Sequence, residues 1–199
     1  MKALVTGGGG FLGKAIVKRL RERGDEVRSF SRNPHPPLTE MGVEHCRGEL
    51  ADAGAVKRAA EGCDIVFHVA AKAGVWGQYE EFYRANVLGT KHVIEGCRLH
   101  GIKRLVYTSS PSVVYHGGDL AGIDESAPLC LHAPCGYPTS KAAAEREVLA
   151  ADGPWGVRHW LRRGKEFPRD EPANRHGADA ELQRRRVHGM GTMAMSESQ

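Results

Sequence analysis

Short apolar runs alternate with stretches of helical periodicity along the first 151 residues. The runs are rich in β-branched and aromatic residues, which predicts β-strands. They occupy residues 2–6, 26–31, 64–69 and 104–109. Apolar residues recur every three or four positions in the helical stretches, which occupy residues 11–23, 80–100 and 139–151. Asp52 is a candidate N-cap for a further helix ending near Gly62, and residues 34–37 and 117–134 have the composition of loops.

This alternation predicts the fold class. Strands separated by helices of ten or more residues form parallel sheets with helices on both faces. Right-handed crossovers then make the sheet doubly wound. We therefore expect residues 1–153 to form one α/β domain with a doubly wound parallel sheet.

The pattern changes after Gly153. Residues 154–199 are crowded with Arg, His, Gly and Pro and show little periodicity, although residues 157–161 could add one strand. A segment that buries little apolar surface cannot offset the entropy lost on ordering. We expect residues 154–199 to be an atypical, poorly ordered tail.

Composition and charge narrow the environment and the partners. The chain has 199 residues, of which 41 % are hydrophobic, and a net charge of +4, too small to argue for nucleic-acid binding. No apolar run approaches the ~18 residues of a membrane span, and no signal peptide is evident, so we expect a cytoplasmic protein. The five cysteines are expected to be free thiols, and the spacing of Cys130 and Cys135 does not match a metal site.

A glycine-rich turn, residues 6–13, connects the first strand to the first helix. At the start of a βαβ unit, such a turn predicts a dinucleotide site, as in a Rossmann fold. Gly7 permits the tight turn, Gly10 lets the backbone approach a pyrophosphate, and Gly13 lets the helix pack closely on the strand. The helix N-terminus then offers unpaired N–H groups and a partial positive charge to the phosphates.

The end of the second strand indicates which dinucleotide binds. An acidic residue there favours NAD by accepting hydrogen bonds from the adenosine ribose, whereas an arginine favours NADP. This strand ends in Ser31 and Arg32. Ser31 removes the repulsion to a 2′-phosphate, and Arg32 can pair with it. We expect NADP, with NAD, and a merely solvated Arg32, as the alternatives.

Four polar residues form a candidate catalytic set. Tyr137 and Lys141 lie four residues apart, on one face of the last helix. Ser110 follows a strand at its carboxyl end, where open α/β sheets bind ligands. Asn86 lies in the helix before that strand.

These residue types suit the reduction of a ketone. Hydride arrival places negative charge on the ketone oxygen, which needs a hydrogen-bond donor and then a proton. A tyrosine has an ordinary pKa of ~10, and a neighbouring ammonium lowers it. We expect Lys141, together with the oxidised nicotinamide, to make Tyr137 an effective acid. Ser110 would hold the carbonyl oxygen, and Asn86 would order a water or a backbone group in the proton path.

Together these residues resemble the extended short-chain dehydrogenase/reductase superfamily. Four of its motifs occur in order over residues 1–152: the glycine turn, residues 64–71, the Asn86 motif, and the set Ser110, Tyr137 and Lys141. Residues 82–91 and 106–114 are most similar to the 3β-hydroxysteroid dehydrogenase branch. Residues 70–77 are also similar to bacterial 2-alkyl-3-oxoalkanoate reductases, which use NADPH.

The resemblance implies an NAD(P)-dependent oxidoreductase acting on a hydroxyl or keto group of a hydrophobic substrate, a 3β-hydroxysteroid or a 3-oxo fatty acid. It implies that the pyrophosphate is held by Gly7, Gly10, Phe11, Leu12 and Gly13. It implies that Ala70, Ala71 and Lys72 flank the cofactor, and that Lys141, beside Tyr137, also contacts the nicotinamide ribose. Glu49, before Leu50, stands where the family usually places an Asp beside the adenine. The helices at 80–100 and 139–151 are the family's usual dimer surface, which implies a possible homodimer.

The tail departs from the family. The family continues with a strand, an Arg-Pro turn, a Gly-Pro-Gly loop and a substrate-binding region, whereas the resemblance here stops near residue 163. The composition beyond is what a shifted reading frame through GC-rich DNA would give, a hypothesis that sequencing of the locus tests. A site without the substrate region would lack a lid against water, so we expect impaired turnover.

Two other functions stay open. Nucleotide-sugar epimerases and dehydratases share the scaffold, and tightly held NAD would favour that class. The third possibility is a nucleotide-binding fragment without catalysis, which the atypical tail favours and the intact set at Ser110, Tyr137 and Lys141 disfavours.

Overall fold

A computed structural model describes residues 1–116 and 127–151 with their side chains, and residues 158–162 as backbone. The chain divides into a compact unit, Met1–Lys165, and a second unit, Glu166–Gln199, which lies outside the described residues. The predicted loop at 117–134 is therefore described only in part. The predicted tail at 154–199 lies outside the described residues except for one strand.

Six parallel strands form one sheet, and every neighbouring pair is parallel. In chain order they are β1 (Lys2–Thr6), β2 (Glu26–Ser31), β3 (Glu44–Arg47), β4 (Ile65–His68), β5 (Arg104–Thr108) and β6 (Arg158–Arg162). Their spatial order is β3-β2-β1-β4-β5-β6. This is the order of a Rossmann fold, in which ligands bind outside the carboxyl ends of the strands. The predicted doubly wound parallel sheet is confirmed.

The helices follow the strands on both sides of the sheet. They are α1 (Phe11–Glu22), α2 (Pro36–Glu40), α3 (Ala53–Ala60), α4 (Tyr79–Phe82), α5 (Gly89–Leu99) and α6 (Gly136–Ala151). A π-helical segment, Tyr83–Leu88, joins α4 to α5, and a 3₁₀ helix, Pro111–Val114, follows β5. Among the described residues, no helix is long and apolar enough to cross a membrane.

Two hydrophobic clusters form the two halves of the core, one on each face of the sheet, and a third, smaller cluster joins Val113 and Val114 to Ala142. Successive strand residues point to opposite faces, so Leu4 joins the half covered by α3, α5 and α6, whereas Ala3 and Val5 join the half covered by α1 and α2. Residues 3–6 of β1 are all buried, as expected for a central strand covered on both faces. This is why the first strand reads as a continuous apolar run.

Two elements at the edge of the sheet differ from the sequence expectation. The loop predicted at 34–37 was wrong in part, because α2 begins at Pro36, where a proline is tolerated in the first turn. β3 was missed, because its residues Glu-His-Cys-Arg carry no apolar alternation. The strand considered at 157–161 is found at Arg158–Arg162, paired with β5, so the sheet extends beyond residue 153.

Candidate functional site

The glycine turn closes tightly against the neighbouring strand end. Gly7 has a φ of 71°, and a Cβ there would lie 2.9 Å from the Ala70 Cα. The Gly10 N–H donates to the Gly7 carbonyl at 3.0 Å, and Gly10 is the N-cap of α1. A Cβ at Gly13 would clash with the Gly7 carbonyl oxygen. Side chains are therefore excluded at Gly7 and Gly13 by packing, and the N-terminus of α1 is left uncovered.

A cleft of about 880 Å³ opens in front of this turn. Phe11 stands at its edge with its side chain 99 % exposed. Tyr137 and Lys141, also predicted to contact the cofactor, do not line this cleft, whereas the other twelve predicted residues converge on it from four separate segments. The twelve are Gly7, Gly10, Phe11, Leu12, Gly13, Ser31, Arg32, Glu49, Leu50, Ala70, Ala71 and Lys72.

The end of β2 forms one wall of the cleft. The Ser31 hydroxyl donates to the Asn33 carbonyl at 2.7 Å, and it lies 3.1 Å from the His45 Nε2. Since the hydroxyl proton is used at Asn33, the His45 ring donates to Ser31. Arg32 is exposed at the same wall. Sequence reasoning missed His45, because it lies on the unrecognised strand β3.

The segment carrying Glu49 and Leu50 is held in place by a hydrogen bond from α5. The His92 Nδ1 lies 2.8 Å from the Leu50 carbonyl, to which it donates. Nothing in the sequence singled out His92, because a lone histidine on a helix carries no motif. The contact holds this wall of the cleft against α5.

Lys72 contributes both its backbone and its charge to the cleft. Its ammonium lies 2.9 Å from the Glu81 carboxylate and 5.3 Å from the centre of the Phe82 ring. Glu80, Glu81 and Arg84 also line the cleft, although no motif pointed to them. The positive charge of Lys72 is thus already paired with the carboxylate of Glu81 in α4.

Lys141 is buried at the carboxyl end of β5. Its side chain is 3 % exposed, donates to the Thr108 carbonyl at 2.7 Å, and lies 4.2 Å from the centre of the Tyr107 ring. Burial lowers the pKa of Lys141 to about 7, and the negative charge of Glu145 acts in the opposite direction. The amine is therefore poised to change charge near neutral pH.

Glu145 lies one helical turn beyond Lys141 and is fully buried. Its carboxylate accepts a hydrogen bond from the Ser109 hydroxyl. Sequence reasoning did not single out Glu145, although its spacing from Lys141 placed both on one face of α6. A buried carboxylate in this position holds negative charge close to the Lys141 amine.

Ser110 lies two residues beyond the end of β5, and Tyr137 is the second residue of α6. The Ser110 hydroxyl is 2.8 Å from the Ser112 hydroxyl and accepts from the Ser112 N–H at 3.3 Å, so it caps the 3₁₀ helix. Tyr137 is half-buried in the first turn of α6. Its carbonyl accepts from the Ser140 hydroxyl at 2.9 Å. The cap of Ser110 was not foreseen.

Asn86 is 2 % exposed and binds the backbone of the cleft wall. Its amide oxygen accepts from the Lys72 N–H at 2.7 Å, and its amide nitrogen donates to the Lys72 carbonyl at 3.0 Å. The same nitrogen donates to the Ser140 hydroxyl at 2.9 Å. Asn86 therefore joins the cleft wall to the first turn of α6, which carries Tyr137.

The site thus combines two parts. The cleft offers backbone N–H groups, the arginine at position 32 and small residues, which suit an elongated anion such as a dinucleotide. The second part, at the end of β5 and in α6, carries a phenol, a buried amine and serine hydroxyls, which suit proton transfer at a polarised oxygen.

Residues 4–158 match the 3-beta hydroxysteroid dehydrogenase/isomerase family. The chain belongs to this family. It is 52 % identical over 155 residues to a 2-alkyl-3-oxoalkanoate reductase of Stenotrophomonas maltophilia, covering 76 % of this chain and 47 % of that protein. It is 38 % identical over 163 residues to a 3 beta-hydroxysteroid dehydrogenase/Delta 5-->4-isomerase of Mycobacterium tuberculosis, covering 78 % of this chain and 44 % of that protein.

Solved structures share the fold of this family member. A UDP-glucose 4-epimerase of Thermus thermophilus, solved with NAD, superposes with a TM-score of 0.72 at 30 % identity and covers 81 % of this chain and 54 % of its own. A short-chain dehydrogenase/reductase superfamily protein of Agrobacterium tumefaciens with bound NAD gives a TM-score of 0.72 at 27 % identity. The match covers 81 % of this chain and 48 % of that protein. The chain spans about half the length of these relatives.

Proposed function

We propose that the cleft binds a nicotinamide dinucleotide, and NADP(H) in preference to NAD(H). The convergence of the twelve predicted residues on one cleft carries this proposal. The NAD in the related structures supports a nicotinamide cofactor. The preference for NADP(H) rests on Ser31 and Arg32, which leave the end of β2 without an acidic side chain to repel a 2′-phosphate.

The reaction we propose is the reversible reduction of a ketone on a bulky hydrophobic substrate. The reductase and hydroxysteroid dehydrogenase named above support this substrate class. NADPH, when bound, supplies the hydride. The Tyr137 phenol then donates the proton to the substrate oxygen, which the Ser110 hydroxyl holds in place.

Lys141 and Asn86 support the tyrosine in this proposal. A charged Lys141 stabilises the phenolate that Tyr137 leaves behind. Because burial and Glu145 set the pKa of Lys141 to about 7, its charge is available below this pH in the free protein. Asn86 holds Lys72 and the first turn of α6 together, so the cleft wall and Tyr137 keep a fixed relation.

NADPH oxidation tests the catalytic part of the proposal. We expect slow turnover with a 3-oxosteroid or a 2-alkyl-3-oxo acid, and Tyr137→Phe should lower it by a further ~10²–10⁴-fold, the usual contribution of a general acid, with NADPH affinity retained. Conversion of a UDP-sugar instead would identify an epimerase. NADPH binding without turnover of any of these compounds would leave a nucleotide-binding module and overturn the catalytic roles.

A further inference from the structure

A buried histidine outside the proposed chemistry connects two threonines next to the cleft. His68 is the last residue of β4 and is 2 % exposed. Its Nδ1 lies 2.8 Å from the Thr6 hydroxyl, and its Nε2 lies 3.0 Å from the Thr90 hydroxyl. Both ring nitrogens are therefore engaged, and the partners decide which of them carries the proton.

The Thr6 side defines Nδ1 as an acceptor. The Thr6 hydroxyl oxygen accepts from the Val69 N–H at 3.1 Å and from the Ala70 N–H at 3.2 Å. These two bonds use both lone pairs of the oxygen, so the hydroxyl proton is what remains for His68. Thr6 donates to Nδ1, which is therefore unprotonated.

The Thr90 side reaches the same result independently. The Thr90 hydroxyl lies 2.6 Å from the Asn86 carbonyl, which can only accept. Thr90 therefore donates to Asn86 and accepts from His68. The Nε2 of His68 must carry the proton, and the ring is neutral with one defined tautomer.

The path continues through the side chain of Asn86. Its amide nitrogen donates to the Ser140 hydroxyl, and that hydroxyl donates to the Tyr137 carbonyl. The polar path thus starts at Thr6, beside the glycine turn, and ends at the first turn of α6. Thr6 and Asn86 also accept hydrogen bonds from the backbone N–H groups of residues 69, 70 and 72, which form the cleft wall between the glycine turn and α6.

We propose that His68, as a neutral imidazole protonated at Nε2, is a positioning residue that sets the distance between the glycine turn and the first turn of α6. The proposal rests on the proposed function, because it assigns this path to the nicotinamide half of a bound dinucleotide. The adenine half would lie against Ser31, Arg32 and Glu49, on another wall of the cleft.

The surroundings keep the imidazole neutral. Burial, with a smaller effect of the Lys141 charge, lowers the pKa of His68 to about 3. Among the described residues, the Tyr107 ring also packs against the imidazole, with the ring centres 5.7 Å apart at an angle of 43°. Neither neighbour supplies a negative charge that would hold a proton on Nδ1.

Nuclear magnetic resonance of the ¹⁵N-labelled full chain tests the tautomer without any variant. Long-range ¹H–¹⁵N correlations identify each histidine ring and show which nitrogen carries hydrogen. We expect His68 as the Nε2–H form, unchanged between about pH 5.5 and 8, where an ordinary histidine titrates. A ring protonated at Nδ1, or one that titrates in this range, would overturn the assignment.

Ligand affinity in variants tests the positioning role. We expect Thr90→Val and His68→Gln to weaken NADPH binding about five- to tenfold, the net contribution of about one hydrogen bond. Adenosine 2′,5′-bisphosphate, which carries only the adenine half, should bind within about twofold of the wild type, a change too small to count as a lost hydrogen bond. Two variants are used because one of them could fail to fold.

His100→Gln is the matched control. The His100 Nε2 lies 3.0 Å from the Lys57 carbonyl and joins α5 to α3 away from the cleft, so its loss should lower stability and leave both affinities unchanged. If the His68 and Thr90 variants lost affinity equally for both ligands, or lost no affinity for NADPH, His68 would have only a structural role. Binding of the bisphosphate but not of NADPH by the wild type would refute the positioning role of His68. The tautomer experiment would still test the hydrogen bonds between His68, Thr6 and Thr90. No binding of either ligand would instead refute the proposed function.

Discussion

Lys141 shows how burial and charge oppose each other at one residue. Its amine is packed against the Tyr107 ring and a backbone carbonyl, and it has the buried Glu145 carboxylate on the same helix face. Desolvation disfavours the ammonium, whereas the carboxylate favours it. Desolvation prevails, so the free protein holds this lysine close to its titration midpoint at neutral pH.

The stability of the free protein should therefore depend on Lys141 above pH 7. Because the pKa of Lys141 is about 7 in the folded chain, and that of an unfolded lysine is near 10.4, the unfolded chain binds more protons between these values. Lys141 should therefore make the free energy of unfolding rise with pH from 7 to 8, below the range in which the thiols of the unfolded chain ionise (pKa ~8.5). Urea unfolding of the wild type and of Lys141→Met checks this, since the variant should lose the rise. Exposed Lys103→Met is the control and should keep it; an equal rise in Lys141→Met would contradict the account.

Substitutions at Gly10 and Gly13 should have different effects, one on dinucleotide binding and the other on folding. A Cβ at Gly13 meets the Gly7 carbonyl, whereas a Cβ at Gly10 lies 3.4 Å from it and fits. Gly10→Ala should therefore fold normally and lose at least about tenfold in NADPH affinity, because the methyl group would hold the pyrophosphate away from the backbone. Fluorescence titration measures the loss, and urea unfolding verifies the fold. Gly54→Ala, the same change outside the cleft, should bind as the wild type does; full affinity in Gly10→Ala would place the pyrophosphate elsewhere.

At single residues, sequence reasoning found groups whose spacing carries chemistry and missed those that act through tertiary contacts. Tyr137 and Lys141 are marked by their spacing on one helix face. His45 and His92 carry no such mark, because their contacts come from elements far apart in the chain, and Glu145 shares the helix spacing of Lys141 but belongs to no motif. The roles of the predicted catalytic residues stay predictions until variants are measured.

At the scale of elements, the sequence predicted the buried strands and the helix α3 capped by Asp52, but it did not predict the edge strand β3. β1 and β4 are covered on both faces and therefore consist of apolar runs, whereas β3 is a four-residue edge strand without alternation. The helix expected at 80–100 contains the π-helical segment Tyr83–Leu88, which a count of apolar spacing does not reveal. Asn86 lies in that segment, and π-helical turns often occur at functional sites.

The N-cap of α3 gives a prediction at this scale. The Asp52 carboxylate accepts from the Ala55 N–H at 3.0 Å, as its position in the sequence predicted. Asp52→Ala should lower the free energy of unfolding by about 0.5–2 kcal/mol, because the first turn of α3 loses its acceptor. Asp52→Asn keeps an acceptor and should stay close to the wild type in urea unfolding. No loss in Asp52→Ala would show that the cap contributes nothing, and equal losses in the two variants would assign the stabilisation to the negative charge of Asp52 and contradict the acceptor role.

At the scale of the whole molecule, the described residues correspond to one part of a longer family pattern. Among the described residues, those that line the cleft all precede residue 86. The chain spans 47 % of the S. maltophilia reductase and 44 % of the M. tuberculosis dehydrogenase. We propose that residues 1–153 suffice to form the dinucleotide site, and that the sheet is completed by the strand at 158–162. Substrate choice then depends on residues outside this part.

Direct titration of the purified chain with NADPH and NADH, followed by the fluorescence of the reduced nicotinamide, tests the central claim. We expect saturable binding of both nucleotides in one site, with NADPH the tighter ligand and Arg32→Ala reducing the difference in affinity. The absence of binding to either nucleotide would contradict the account, because every proposed role depends on a dinucleotide lying in front of the glycine turn.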